Sequence, residues 1–286
     1  MPSGGTIGSC KVFPATDPWN RDVSADPVDP SSDAIIAYIN SHGGSKLHPD
    51  FGSDFGIPYT TVTGSQPKVD MTFDYESDPG PYPIPPNAPV EAGGDAHVLV
   101  IDTDNCMLYE TFASQFVNPG WQCGSGAVFD LKTGFRGTRT SYIDCWTSAD
   151  AAGLPIFPGL VRYDEVKAGA INHAIRVTFS DTRQAFVHPA THFASSDTGA
   201  DVPPMGMRLR MKASFDISGF TGQSKVVVEA LKKYGFINAD NGSNWFFQGA
   251  PDPSFDDEDL NQLKAIPGTA FEVVQMGQIY TAADCP

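Results

Sequence analysis

Apolar and polar positions alternate with period two along much of this chain, and that pattern predicts a protein built mostly of strands. Over residues 68–76, Val69, Met71, Phe73 and Tyr75 alternate with Asp70, Thr72, Asp74 and Glu76, as in a half-buried strand with Asp74 and Glu76 on its polar face. Residues 97–101 are almost continuously apolar and 107–112 form a neighbouring strand. The turn-forming residues Asp102, Thr103, Asp104 and Asn105 between them predict a hairpin. Further strands are expected over 127–131, 174–179, 184–187, 207–211, 236–237, 244–247 and 270–274, mostly separated by Gly, Pro, Asn or Asp. So many short strands point to a mainly β fold, a two-sheet β-sandwich or a barrel.

A few short helices interrupt this pattern and belong at the periphery. Ser32 is a good N-cap for a helix over 34–39 that Gly43 and Gly44 would end. Residues 224–234 carry an apolar stripe of Val226, Val227, Ala230, Leu231 and Tyr234 and are closed by Gly235; a short acidic helix is expected to begin at Ser254. Pro14, Pro18, Pro27 and Pro30 make residues 1–31 an extended N-terminal arm, which leaves 32–286 as a single β-rich domain. Six prolines between 79 and 89 impose a rigid extended segment over the surface.

Composition narrows the partners. With 34 acidic against 18 basic residues the net charge is -16, which opposes binding to nucleic acid or to an anionic membrane surface, and no apolar run is long enough to span a bilayer. The five cysteines, at 10, 106, 123, 145 and 285, have neither the CxxC spacing nor the histidines of a zinc site, so they read as disulfides with one thiol left over. Cys10 and Cys285 lie where a bridge would restrain fraying ends, and the central three are close enough for a local loop. Pairing is not fixed by spacing. The opening Met-Pro-Ser-Gly-Gly lacks the apolar core of a signal peptide, and Met1 is read as an initiator ahead of a mature end. Disulfides and acidity together point to an extracellular protein.

The stretch WTSADAAGLPIFPGLVRYDEV from Trp146 to Val166, then AGAINHAI from Ala168, resembles a family of secreted bacterial and fungal proteins. With MRLR from Met207 and the region from Tyr234 to Gly242, the resemblance covers roughly the C-terminal half. It implies an extracellular protein and carries no activity or catalytic residue with it.

Several constellations could carry chemistry. Asp150 with Glu165, beside Trp146 and Arg162, has the aromatic-plus-carboxylate character of a sugar site, in which a ring covers the apolar face of a pyranose and the acids address its glycosidic oxygen. Asp164 shares that segment. Asp74 and Glu76, with Asp78 nearby, form a rival pair. Arg208, Arg210 and Lys212 alternate on one strand face and could line a groove for a uronate polymer, with His173 as the base of a lyase. His188 and His192 are four apart, but Pro189 argues against the helix a metal pair would need, so no metal or cofactor is expected. The Asp-Thr-Gly-Ala at Asp197 imitates an aspartic-protease motif without a second copy and reads as a loop. The expectation is a secreted carbohydrate-active protein acting on a polysaccharide or oligosaccharide, a glycoside hydrolase with Asp150 and Glu165 as acid and base and Trp146, Arg162 and Arg210 on the substrate. The alternatives are a non-catalytic carbohydrate-binding protein and a uronate lyase using His173 and Arg208.

Overall fold

In the computed structural model, which describes residues 5–134 and 144–285, the chain opens with a small hairpin, β1 (Thr6–Ile7) and β2 (Cys10–Lys11). Helix α1 (Ser32–Ser41) follows, then β3 (His48–Asp50), β4 (Tyr59–Val62) and β5 (Met71–Phe73). A run of strands comes next: β6 (Val98–Asp102), β7 (Met107–Phe112), β8 (Gln115–Val117), β9 (Gly120–Cys123) and β10 (Ser125–Asp130). The C-terminal half interleaves α2 (Tyr163–Ala168), β11 (Ile175–Phe179), β12 (Ala185–Val187), β13 (Arg208–Met211), α3 (Gly222–Lys233), β14 (Phe236–Asn241) and β15 (Phe246–Gln248). It ends with α4 (Asp257–Leu260), β16 (Phe271–Val273) and β17 (Ile279–Thr281).

The near-continuous apolar character of β6 has a direct cause: both of its faces are buried. Leu99 and Ile101 point into the main core with Leu108, Ala127 and Phe129, whereas Val98 and Val100 join a second core with Tyr82, Ile84, Tyr109 and Trp121. The four-stranded sheet β10-β7-β6-β4 is therefore a middle layer. On one side it shares the main core with the six-stranded sheet β16-β13-β14-β11-β15-β3, and on the other lies the small sheet β5-β9-β8. The protein is mainly β, a sandwich with a third layer added, and no sheet closes into a barrel among the described residues. The proline-rich segment lies over the second core and drives Tyr82 and Ile84 fully into it. Each such buried side chain contributes about 1.5–3 kcal/mol.

Some expected elements are shifted. The hairpin β6–β7 forms as expected, and the Asp102 carboxylate accepts from the Asp104 and Asn105 amides across its turn, at 3.1 Å each. The strand expected over 68–76 is ordered as β5 alone: the Asp74 and Tyr75 amides turn to the Cys123 and Gly124 carbonyls at 3.2 and 3.3 Å. Asp74 and Glu76 therefore do not share one strand face. The acidic helix is capped by Asp256 rather than Ser254, because the Asp256 carboxylate accepts from the Glu258 and Asp259 amides at 3.1 Å. Helices α1 and α3 pack on β16 and β13.

The N-terminal arm is part of the core. Cys10, Val12, Phe13 and Trp19 are buried in the main cluster, and Asn20 donates to the carbonyls of Val12, Phe13 and Pro14. The disulfides tie each end to the middle of the chain rather than to the other end: Cys10 to Cys106 and Cys145 to Cys285. Cys123 is the leftover thiol, buried in the second core.

Candidate active site

A cleft of about 440 Å³ opens between the middle sheet and the end of the six-stranded sheet. Tyr75 and Phe112 supply aromatic surface, and Glu76, Asp95, Asp150 and Asp240 supply carboxyl groups. Ser125, residues 147–151, His192 and Asn241 complete the wall.

The Thr147–Ser148 pair shapes the segment that carries Asp150. The Ser148 hydroxyl accepts from the Asp150 amide at 2.9 Å and donates to the Leu154 carbonyl at 2.7 Å, while the Thr191 hydroxyl donates to the Trp146 carbonyl at 2.8 Å. Beneath it, Glu110 is completely buried and accepts from the amides of Ile156 and Phe157, each at 2.8 Å. Burial pushes Glu110 up to about 7 against those two hydrogen bonds.

Arg176 on β11 organises the floor. Its Nη2 donates to Asp150 Oδ1 and lies 3.4 Å from Asp240 Oδ2, and its Nη1 donates to Gln248 on the neighbouring β15. Asp240 reaches this position because a one-residue irregularity in the β11–β14 pairing, opposite Val177 and Thr178, brings it level with Thr178. The side chains of Arg176 and Asp150 are wholly buried, while that of Asp240 is 20% exposed toward the cleft. Asp150 Oδ2 has no hydrogen-bond partner among the described residues.

Two carboxyl groups around one guanidinium leave one negative charge in excess in a desolvated place, so the pair favours holding a proton. Burial, with the Asp240 charge adding to it, lifts Asp150 to about 8 despite Arg176. Burial raises Asp240 as well, and its cause outweighs the pull of Arg176. The floor of the cleft is thus a place where a carboxylic acid stays protonated near neutral pH.

Two histidines flank this floor. His97 meets Glu91 Oε2 through Nδ1 at 2.5 Å and the Ala149 carbonyl through Nε2 at 3.0 Å. Both partners are acceptors, so both ring nitrogens donate and the ring is an imidazolium. Burial opposes that charge, but Glu91 outweighs it and raises His97 above the usual histidine range. His192 donates from Nδ1 to the Ala151 carbonyl at 2.8 Å.

The residues expected from sequence are divided among several places. Asp150 and Glu76, from different expected pairs, line the same cleft; Glu165 and Asp74 do not. Glu165 lies on α2 in a buried cluster, with Arg162 Nη2 at 2.8 Å and His173 Nε2 at 3.1 Å. Burial would raise Glu165, but Arg162 and His173 together hold it below the usual carboxylate range. Asp164 is the exposed neighbour of that cluster, 3.6 Å from Arg162, whose guanidinium also stacks on Phe157 at 4.8 Å. Trp146 is half-buried outside the cleft wall.

The cations of β13 face the N-terminal arm. Arg208 donates to the carbonyls of Tyr234, Pro18 and Arg21 at 2.7, 2.8 and 3.2 Å, and burial lowers it to about 9. Arg210 bonds Glu272 at 2.8 Å and also donates to the Val23 carbonyl. They hold down the arm, and Arg208 also borders a small hollow of about 180 Å³ with Arg21 and His188. His188 pairs with Asp144 at 2.8 Å, and no group of three or more His, Cys, Asp or Glu able to hold a metal forms among the described residues. The Asp197 carboxylate accepts from the Gly199 amide at 2.8 Å in an exposed loop, as expected of a turn.

Sequence reasoning missed Asp240, Arg176 and Asp95. A readable signal existed for two of them: Arg176 is a lone charge within the apolar strand β11, and Asp240 ends the apolar run of β14. Comparison of the chain with known protein families, with curated proteins and with solved structures finds no match.

Proposed function

We propose that this protein is a secreted glycoside hydrolase that cleaves a polysaccharide in the Asp150–Asp240 cleft. The observation that carries the reading is the pair of carboxyl groups on Arg176, one wholly buried, the other opening onto a cleft with aromatic walls. Asp240, the member of the pair that reaches the cleft, donates a proton to the glycosidic oxygen. Asp150 lies behind it on the same guanidinium nitrogen, where its presence favours a proton on Asp240, and Arg176 fixes the geometry. Glu76 and Asp95, exposed on the cleft wall, are assigned the activation of water or the contact with the oxocarbenium-like carbon. Tyr75 and Phe112 offer ring faces to the apolar side of a sugar. The volume lies within the ~300–1,000 Å³ typical of ligand sites. Two disulfides and the acidic surface support an extracellular setting.

A uronate lyase is less well supported, because Arg208 and His173 are both engaged internally. A screen of neutral, amino-sugar and uronate polysaccharides separates the readings. Release of new reducing ends without an ultraviolet-absorbing product is the expected result. An unsaturated product would overturn hydrolysis in favour of a lyase, and binding without cleavage would leave a carbohydrate-binding protein.

A further inference from the structure

Beyond the cleft, a second hollow of about 410 Å³ is lined by Asp50, Asp54, Phe55, Val90 and Glu91 among others. Phe55 and Val90 are 44% and 42% exposed, unusual for large apolar side chains. The segment 89–95 contributes to both hollows: Glu91 lines the second and Asp95 the first. They also share a polar bridge, since Glu91 binds His97 and His97 binds the Ala149 carbonyl on the wall of the cleft.

The lining of both hollows is one-signed. The cleft presents Glu76, Asp95 and Asp240, the second hollow Asp50, Asp54 and Glu91, and no lysine or arginine lines either one among the described residues. Arg176 and His97 offset part of this charge from behind, each already bonded to carboxylates, and the remainder faces solvent. Asp150 Oδ2, on a side chain with no exposed surface, adds a buried oxygen without a partner at the floor. A ligand that brings cationic donors would satisfy the excess, whereas a uronate would be repelled.

We propose that the glycan taken by this protein is cationic, a chain of β-linked 2-amino sugars that lies over segment 89–95, with one part in the cleft and another against Phe55 in the second hollow. This rests on the reading of the cleft as a glycan site and names its substrate class. A protonated 2-amino group gives each sugar a charge that the carboxylates can meet, and the sugar face supplies apolar area for Phe55. A short oligomer fills the cleft alone, and a longer one reaches both hollows and binds more tightly.

Calorimetric titration at about pH 6, where amines are protonated, tests this with three probes: a β-1,4-glucosamine oligomer, its fully N-acetylated counterpart and a cello-oligosaccharide of equal length. The glucosamine oligomer is expected to bind at least about tenfold more tightly than either neutral probe, and the preference shrinks in high salt. Asp54→Asn and Asp95→Asn, both at exposed positions, should each weaken it by about two- to fivefold. Phe55→Ala should weaken a long glucosamine oligomer and leave a disaccharide unaffected. Equal or tighter binding of the N-acetylated or cello-oligosaccharide overturns the proposal, and cleavage of that neutral probe would leave the hydrolase reading standing. Selective binding of glucosamine oligomers without cleavage supports the proposal and removes the hydrolase reading. Binding of none of the three overturns it.

Discussion

At the scale of the residue, Asp150 has the most unusual environment. Its carboxyl is raised from the ordinary value near 4 to about 8, chiefly by burial. The folded state therefore binds a proton that the unfolded chain releases between those values, so the contribution to stability is complete at low pH and is lost as pH rises through about 8. Glu110, raised to about 7, acts in the same direction. The melting temperature should fall as pH is raised from about 5 to 8, and Asp150→Asn should flatten that fall, as differential scanning calorimetry at a series of pH values would show. An unchanged slope in the variant would mean that Asp150 is ionised in the folded protein. Asp150 itself was legible from sequence as a carboxyl beside an aromatic in a turn-rich stretch. Its partners were not, because Arg176 and Asp240 are 26 and 64 or more positions from the groups they meet, and no local period encodes a contact across a sheet.

At the scale of the element, local signals located most strands and helices and failed where a boundary depends on tertiary contact. Period two carried on past Phe73 in the sequence, yet β5 ends there because β9 runs out at Cys123 and the chain bends to follow it. That bend sends Glu76 to the cleft. The pairing of β4 with β6, β11 with β14 and β15 with β3 is parallel, which alternation alone does not distinguish from antiparallel. Gly235 was legible as a helix end and does more than terminate α3. Its φ is +65°, and a Cβ there would lie 1.8 Å from the Leu209 carbonyl oxygen, so the turn lets β13 and β14 approach. Gly235→Ala should lower stability by more than ~1 kcal/mol in urea unfolding, whereas Gly219→Ala, at a glycine with open space around it, should change it little.

At the scale of the whole molecule, three layers and two long-range disulfides hold a strongly acidic chain together against its own repulsion. The bridges enclose sequence separations of 96 and 140, and such closures contribute about 2–5 kcal/mol each. Cys145–Cys285 fixes the start of the segment that carries Thr147, Ser148 and Asp150, so its removal should loosen the cleft as well as the C-terminus. Thiol titration of the denatured, unreduced protein should find one reactive group, Cys123, and a count of five would refute both bridges. The odd count of cysteines made a leftover thiol legible, and the partners were not, because both ends reach the centre of the chain through the fold. The central claim is that Asp240 is the acid of glycosidic cleavage in this cleft. Its most direct test is the rate of reducing-end release by Asp240→Asn beside the parent on the polysaccharide the parent cleaves, with binding measured in parallel. Turnover should drop by about 10²–10⁴-fold with the ligand still bound, and a variant that cleaves as fast as the parent would contradict the account.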